Sequence, residues 1–598
     1  MQLDLLDWIV IGIYLLITTA IGFWFTSRAG KSMEDYFLAG RSLPWWIAGT
    51  SIAATWFATD APLAAASLVR QHGIFGNWLW WYEAGGLMLL VFFFAKYWRR
   101  SNIMTDAELM EIRYSGNAAG FLRVFSAIYN GIIKNCVIMG WVMLAMVKFA
   151  QVLLGWDASL TLGICVSIAV VYTFASGLWG VVSTDMFQFC TGIIGSVILA
   201  VIVLNTLGGP AGMVDNISKL SDTPEGVMDI LPSTKHTSPL EFVSYLCLIF
   251  VLWSRSGHDG YSAQRLFATR SDKHAVLASF LWGFLGITVM TWPWIIVGLG
   301  SLVIFPVSEA SAALSADPEL AYPMMLSELM PVGLKGMLVA SFLAAFMSTM
   351  DTHLCWGGSY MVNDIYKRFF RKNDSEEHYV LASRVSILFL AGLATITAYY
   401  MDSIERAWIY IIDLTAGMAI VWALRWYWWR VNAWAELSAM ISSLILANGG
   451  FIISGLYSFG LLSDKWYDSI NMYYTTDYNM IRAVFILLIS TVIWISIVFI
   501  TDATDRKVLS KFYRKVQPSG WWGPIAADNL DVSTGPSGWH KWKGLFSGVV
   551  FVYSSLLGIG YLVTARYLMG LSFLFASLLS LYILIKQFDI NSSKIKNL

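Results

Sequence analysis

Charged residues are scarce in this 598-residue chain. Only 13% of its residues are Asp, Glu, Lys or Arg, whereas soluble domains carry close to a quarter. Hydrophobic residues make up 57%, and the mean hydropathy is +0.62. This composition is typical of an all-α protein that crosses a membrane many times.

The chain also lacks the motifs of several enzyme classes. It contains no phosphate-binding Walker loop, nucleophile elbow or kinase motif set, and its cysteines lack metal-ligand spacing. The five cysteines all fall in apolar stretches, where we expect them to pack: Cys136, Cys165, Cys190, Cys247 and Cys355. Basic residues flank the apolar stretches, which argues against nucleic acid as a partner. We therefore expect no enzyme activity and no cofactor.

Long apolar runs dominate what is present. A span takes about twenty apolar residues, which predicts about fifteen transmembrane helices. Their approximate ranges are 7–27, 44–70, 76–98, 119–152, 157–176, 181–208, 239–265, 274–304, 332–363, 379–401, 404–424, 432–457, 480–501, 545–564 and 570–587.

Lys and Arg residues are concentrated in alternate connections between these spans. The positive-inside rule then predicts an outside N-terminus and a cytoplasmic C-terminus. The first apolar run is as long as a span and has no basic leader, so we do not expect a cleavable signal peptide. The expected location is a plasma membrane, such as a bacterial inner membrane, with the lipid bilayer as partner.

The predicted spans form two sets of five, at 44–208 and 239–424. Because five is odd, the sets enter the membrane in opposite directions, as in the inverted repeats of many secondary transporters. The first helix of each set is interrupted, at Gly49 to Pro62 and at Ser254 to Gly260. The remaining predicted regions are an N-terminal helix and loop at 1–43, further helices at 432–501, a cytoplasmic loop at 502–543 and a helical extension at 544–598.

The polar run from Ser254 to Gly260 interrupts one of these apolar stretches. Charge at bilayer depth is costly and indicates a functional site, and glycine-interrupted spans point to a transporter's substrate site. The alternative is that the run is a cytoplasmic loop.

Four motifs resemble the sodium–solute symporter family, which includes sodium–glucose and sodium–proline cotransporters. They run from Asp35 to Trp46, from Gly177 to Asp185 and on to Gln188, from Ala263 to Arg265, and from Ala344 to Thr349. Their order is that of the family, and the resemblance covers about residues 28–505. It implies a LeuT-like fold with two inverted repeats.

The resemblance also implies a main sodium site between the first broken helix and a facing helix. Its ligands would be the backbone carbonyl oxygens of Ala54, Phe57 and Ala345. The side-chain hydroxyls of Ser348 and Thr349 would complete the site. Without the resemblance, hydroxyls of this kind would be expected to bond back to their own helix.

Some members of the family have a second ion site. The matching residues here are Asp185, Ser348, Asp351 and Thr352, and Asp351 stands where such members usually have a hydroxyl. Two carboxylates converging in a low dielectric repel each other. We therefore expect a second cation, or a proton shared by Asp185 and Asp351. The alternative for Asp185 is a helix-start residue after a turn at Gly177 to Gly180.

The transported solute should lie beside the two helix breaks. The candidate binding residues are Thr55, Trp56, Asp60, Glu83, His258 and Asp259. Acids next to aromatic rings suit a sugar, and they equally suit a cationic or zwitterionic solute. Asp259 and Gly260 stand where sugar-binding members usually have amides, which argues against a direct transfer of their sugar specificity. The sequence therefore predicts a small polar solute, and a sugar is the first choice among such solutes.

The expected function is a sodium-coupled symporter that imports this solute by alternating access. A proton-coupled or sodium-coupled symporter of amino acids or carboxylates is the alternative within transport. A solute sensor or a channel on the same fold is the alternative in a different class.

Overall fold

The computed structural model describes residues 3–29, 32–235, 237–251, 253, 260–474, 479–532 and 538–595. Within these ranges the backbone is helical and contains no extended β-strand; two isolated bridges join Leu43 to Thr269 and Trp428 to Trp521. The predicted all-helical class is confirmed.

The helices follow one another through the whole chain. In the first third they are Leu5–Ala29, Met33–Leu38, Trp45–Trp56, Asp60–His72, Trp78–Trp81, Glu83–Leu89, Ala95–Ser101, Leu109–Arg113, Gly116–Ile128, Asn135–Leu154, Ala158–Thr206 and Gly209–Ser218. In the middle they are Pro239–Val251, Gly260–Ala268, Asp272–Phe284, Thr291–Ile304, Ala312–Ala316, Ala321–Leu329, Leu334–Ser359, Lys367–Phe369, Glu376–Tyr399, Ile404–Ala416 and Ala419–Tyr427. In the last part they are Ala433–Ala447, Gly449–Ser458, Asp464–Asn471, Asn479–Ile500, Arg506–Val516, Gly523–Ala526, Gly538–Val563 and Tyr567–Ile595.

Short segments of other helical geometry join or interrupt these helices. Four π-helical segments lie within longer helices, at Leu90–Phe94, Tyr129–Lys134, Leu285–Val289 and Tyr360–Tyr366. Turns of 3-10 helix lie at Ala39–Arg41, Ile74–Asn77, Asp106–Glu108, Val307–Glu309, Pro318–Leu320 and Met472–Tyr474.

Fewer helices qualify as membrane spans than the sequence predicts. In the described part of the chain, nine are long and apolar enough, or up to twelve if each of three bent helix pairs is one span. The predicted spans 157–176 and 181–208 lie in one continuous helix, Ala158–Thr206, in which Leu178–Thr206 qualifies as a span and Ala158–Phe174 is too short. The turn expected at Gly177 to Gly180 does not interrupt it, because glycine is tolerated within apolar membrane helices.

The first predicted helix break is present. The helices Trp45–Trp56 and Asp60–His72 are bent by 53° about the residues between them, and we call the pair the first broken helix. The second predicted break, at Ser254 to Gly260, lies almost wholly outside the described residues. Its flanks are the helices Pro239–Val251 and Gly260–Ala268.

The helix Leu334–Ser359 lies at the centre of the protein, and we call it the central helix. In the most apolar segment of its span, 94% is buried inside the protein. The corresponding share for the last span, Tyr567–Phe588, is 22%. The central helix packs against the first broken helix and against Ala158–Thr206. These three elements therefore meet in the interior, where any transported ion or solute would have to be bound.

Candidate ion and solute site

The first broken helix presents free backbone oxygens to the central helix. Its first half ends because Phe57 leaves helical geometry, with φ −76° and ψ 58°. The second half begins only at Asp60, so carbonyls just before the break have no donor four residues further on. The hydroxyl of Thr349 donates to one of them, the Thr55 carbonyl oxygen, at 3.2 Å.

The residues expected to bind sodium all lie in this interior region. Each is at most 4% exposed, and the set is Ala54, Phe57, Ala345, Ser348 and Thr349. Hydroxyl and carbonyl oxygens are the donors that a hard cation takes at a helix break. No group of three or more His, Cys, Asp or Glu that could hold a metal ion occurs in the described ranges. The donor set therefore suits an alkali cation better than a transition metal.

Asp185 connects three helices at the same place. The hydroxyl of Ser348 on the central helix donates to its Oδ1 at 2.5 Å. The hydroxyl of Ser51 on the first broken helix donates to its Oδ2 at 2.5 Å. Asp185 itself is fully buried in the interior of the helix Ala158–Thr206. Its interpretation as a helix-start residue is therefore wrong.

Arg265 supplies the positive charge opposite Asp185. This fully buried side chain donates from Nε to the Ser51 hydroxyl at 3.3 Å and from Nη2 to the Thr352 hydroxyl at 2.6 Å. The hydroxyls of Thr352 and Thr55 are themselves 3.3 Å apart.

We call the hydroxyls of Ser51, Thr55, Ser348, Thr349 and Thr352 the hydroxyl network. It lies between the carboxylate of Asp185 and the guanidinium of Arg265. Sequence reasoning quoted Arg265 as part of a motif without giving it a role, and it did not select Ser51. An arginine within a polar motif next to an interrupted span was the available signal.

Asp351 lies apart from this network. Its Oδ1 accepts a hydrogen bond from the Thr173 hydroxyl at 2.7 Å, whereas the bonds to Asp185 come from Ser51 and Ser348. Of the predicted second site, Asp185, Ser348 and Thr352 are brought together, and Asp351 has a hydroxyl donor different from those of Asp185.

A cavity of about 170 Å³ adjoins the hydroxyl network. Four of the six predicted solute-binding residues line it, namely Thr55, Trp56, Asp60 and Glu83. The other two, His258 and Asp259, lie outside the described residues. Sequence reasoning missed Trp80, Trp141, Met290, Tyr261, Trp408 and the apolar residues that complete the wall.

Two polar side chains of the cavity wall, those of Asp60 and His353, are oriented by hydrogen bonds. The indole Nε1 of Trp408 donates to Asp60 Oδ2 at 3.1 Å. The ring Nδ1 of His353 lies 2.6 Å from Asn135 Oδ1, and Asn135 also donates to the His353 carbonyl oxygen at 2.9 Å. These contacts fix the orientation of the side chains before any solute binds.

Comparisons with known proteins agree with this geometry. The chain is 25% identical over 489 residues to a sodium/mannose cotransporter of Bos taurus, covering 76% of this chain and 80% of that protein. It is 25% identical over 470 residues to a sodium/glucose cotransporter of Vibrio parahaemolyticus, covering 74% and 85% respectively.

A solved structure shares the fold. It is the substrate-bound outward-open state of a Na⁺-coupled sialic acid symporter, with a TM-score of 0.64 and 16% identity, covering 84% of this chain and 99% of that one. The model of the sodium:solute symporter family matches residues 36–443, about two thirds of the sequence. This chain therefore belongs to the sodium:solute symporter family and is a membrane transporter rather than an enzyme.

Proposed function

We propose that this protein imports a small, sugar-like solute together with sodium by alternating access. The observation that carries the proposal is the position of Thr349, which bonds to the Thr55 carbonyl at the helix break and also lines the cavity. A cation bound at the break would therefore adjoin the solute. Its binding would stabilise the same conformation that the solute requires, which is what coupling between two ligands needs.

The solute assignment rests on the cavity and on the relatives. At about 170 Å³ the cavity is smaller than the roughly 300–1,000 Å³ of sites for drug-sized ligands, so it suits a small solute. Carboxylates accept hydrogen bonds from hydroxyls, and tryptophan rings cover apolar faces, as a sugar requires. The similar proteins named for mannose and glucose favour a sugar over an amino acid or a carboxylate.

The coupling ion is proposed to be sodium, bound by the carbonyls and hydroxyls of Ala54, Phe57, Ala345, Ser348 and Thr349. Asp185 lies directly behind Ser348 and supplies negative charge to this region. No further cofactor is proposed. The second candidate is proton coupling, favoured by the two buried carboxylates Asp185 and Asp351.

The proposed membrane arrangement is that of the family, with two inverted sets of five helices at 44–208 and 239–424. The proposed orientation has the N-terminus outside and the C-terminus in the cytoplasm of a plasma membrane. The sidedness of Lys and Arg supports it.

Uptake of labelled sugars, amino acids and carboxylates into proteoliposomes tests the proposal. We expect accumulation of one sugar class with an inward sodium gradient and none with a proton gradient alone. The double variant Ser348→Ala, Thr349→Ala removes both hydroxyls that are proposed to bind sodium at the helix break. It should raise the sodium concentration for half-maximal uptake at least about tenfold.

Ser341→Ala is the matched control. Ser341 lies on the same central helix and is buried, but its hydroxyl bonds only to the Met337 carbonyl of its own helix. Its replacement should leave the sodium dependence unchanged. Uptake driven by protons alone, with the double variant fully active, would exclude sodium and favour the second candidate.

A further inference from the structure

The carboxylate of Asp60 is only partly satisfied. It is 4% exposed and lines the cavity, and its Oδ2 accepts the Trp408 indole hydrogen at 3.1 Å. Its Oδ1 has no hydrogen-bond partner among the described residues, although the Trp141 indole lies near the carboxylate. The described ion pairs do not include Asp60. Among the described residues, this buried oxygen therefore has no donor, and Asp60 has no ion-pair partner.

The local backbone lowers the cost of a negative charge on this carboxylate. Asp60 is the first residue of the helix Asp60–His72, where the unpaired N–H groups and the helix dipole stabilise an anion. A buried charge is costly unless a group of opposite charge pairs with it. A neutral hydroxyl would supply a hydrogen bond to Oδ1 but would leave the charge unmatched.

The other charged groups of the cavity do not supply the counter-charge. Glu83 adds a second carboxylate to the wall, and Lys134 is the one Lys or Arg among the described residues that line it. Lys134 has an interaction of its own. His353 is oriented by Asn135 through its ring Nδ1. Acidic groups therefore outnumber basic ones in the described wall.

Aromatic faces add a second feature that favours a cation. Four indoles line the cavity, those of Trp56, Trp80, Trp141 and Trp408. One of them, Trp408, contacts the Asp60 carboxylate through its indole N–H. The electron-rich face of an indole attracts an ammonium group, and the attraction grows when both are removed from water.

We infer that the solute carries an ammonium group, which pairs with Asp60 Oδ1 in the aromatic-lined cavity. The solute class is then a small amino sugar or an amino-substituted polyol, rather than a neutral hexose. This inference rests on the proposed sodium-coupled symport of a sugar-like solute and specifies its substrate. Asp60 is the residue that determines the specificity.

Competition uptake into proteoliposomes, driven by an inward sodium gradient, tests this inference. The three competing sugars have the same ring size. Glucosamine carries the ammonium group, glucose carries a hydroxyl at the same position, and N-acetylglucosamine carries a neutral amide there. We expect wild-type protein to prefer glucosamine over the other two by at least about tenfold, since hydrogen bonds between charged groups are the strong ones.

Asp60→Asn should abolish this preference, since the amide keeps the shape but not the charge. Asp60→Glu retains the charge and should keep the order of preference with weaker binding. If Asp60→Asn fails to fold, Trp408→Phe provides a second test, because it removes the indole donor to Asp60 and should reduce the preference for glucosamine over glucose.

The outcomes separate this inference from the proposed function. Sodium-driven uptake that favours glucose or N-acetylglucosamine in wild-type protein would overturn the inference and leave the symport proposal standing. A glucosamine preference that survives in Asp60→Asn would overturn the role of Asp60. A sodium gradient that drives uptake of none of the three sugars, or of any other solute in the panel, would overturn both.

Discussion

At the scale of single residues, Asp185 joins the helices of the proposed ion site through its hydrogen bonds. Its two oxygens accept from serines on two different helices, and the same Ser51 hydroxyl accepts from Arg265. The carboxylate and the guanidinium share the Ser51 hydroxyl, and their opposite charges offset each other. A cation entering beside Ser348 would therefore meet a polarised set of oxygens without an excess of buried charge.

Replacing Asp185 by Asn tests this role. The amide removes the negative charge and can accept on only one atom, so one of the two serine hydroxyls loses its acceptor. We expect the sodium concentration for half-maximal uptake to rise by roughly tenfold or more. Asp351→Asn is the matched control, because its Thr173 contact lies outside the hydroxyl network and its effect should be clearly smaller. An equal or larger effect of Asp351→Asn would place the coupling ion at Asp351 instead.

At the scale of elements, the first broken helix is held by close backbone contacts. A Cβ atom added at Gly49 would lie 2.7 Å from the carbonyl oxygen of Ala278, in the neighbouring helix Asp272–Phe284. The second half packs against the helix Thr291–Ile304. A Cβ atom added there at Gly298 would lie 3.0 Å from the Cα atom of Ala66 in the broken helix. Small residues allow membrane helices to approach in this way. The bend of 53° is thus supported by packing on both of its halves.

Gly49→Ala should separate the first half of this helix from its neighbour. The added methyl group would have to displace backbone, an overpacking change that costs about 1–3 kcal/mol. We expect a lower apparent unfolding temperature in detergent and reduced uptake. Gly163→Ala is the control, since a Cβ there meets nothing within 4 Å, and it should leave both quantities unchanged or slightly raise stability. Equal behaviour of the two variants would contradict the packing argument.

At the scale of the whole molecule, a buried ion cluster joins segments that are distant in the sequence. Lys148 Nζ lies 2.6 Å from Glu319 Oε2 and 2.7 Å from Asp317 Oδ2. The other oxygen of Glu319 accepts from the Ile404 amide at 2.9 Å and from the Ser403 hydroxyl at 3.1 Å. Glu319 thereby caps the helix that carries Trp408 to the cavity.

Glu319→Ala should destabilise this arrangement strongly. It removes one partner of a buried pair, a change that costs about 3–5 kcal/mol, and it exposes the start of the helix Ile404–Ala416. Thermal unfolding in detergent measures the effect. Lys219→Ala is the control, because its pair with Asp215 is more than 60% exposed on both side chains and should contribute less than about 1 kcal/mol. Similar losses in the two variants would show that the buried cluster does not hold the segments together.

Much of this protein could be predicted from the sequence alone. Composition determined the membrane class, the order of four motifs determined the family resemblance, and the interruption predicted at Gly49 to Pro62 contains the break between Trp56 and Asp60. These features are local, since each depends on residues within a few turns of one another. The same local reasoning placed a turn at Gly177 to Gly180, where packing in an apolar helix maintains helical backbone through the glycines.

The tertiary structure decided which side chains meet. Trp408 contacts Asp60 across 348 residues, Arg265 contacts Ser51 across 214, and Ser348 contacts Asp185 across 163. Helical periodicity and motif spacing specify which face of a helix a residue occupies, but not which distant helix packs against that face. For that reason the different hydroxyl donors of Asp351 and Asp185, the contacts of Arg265 and the unpaired oxygen of Asp60 emerged only from the packed helices.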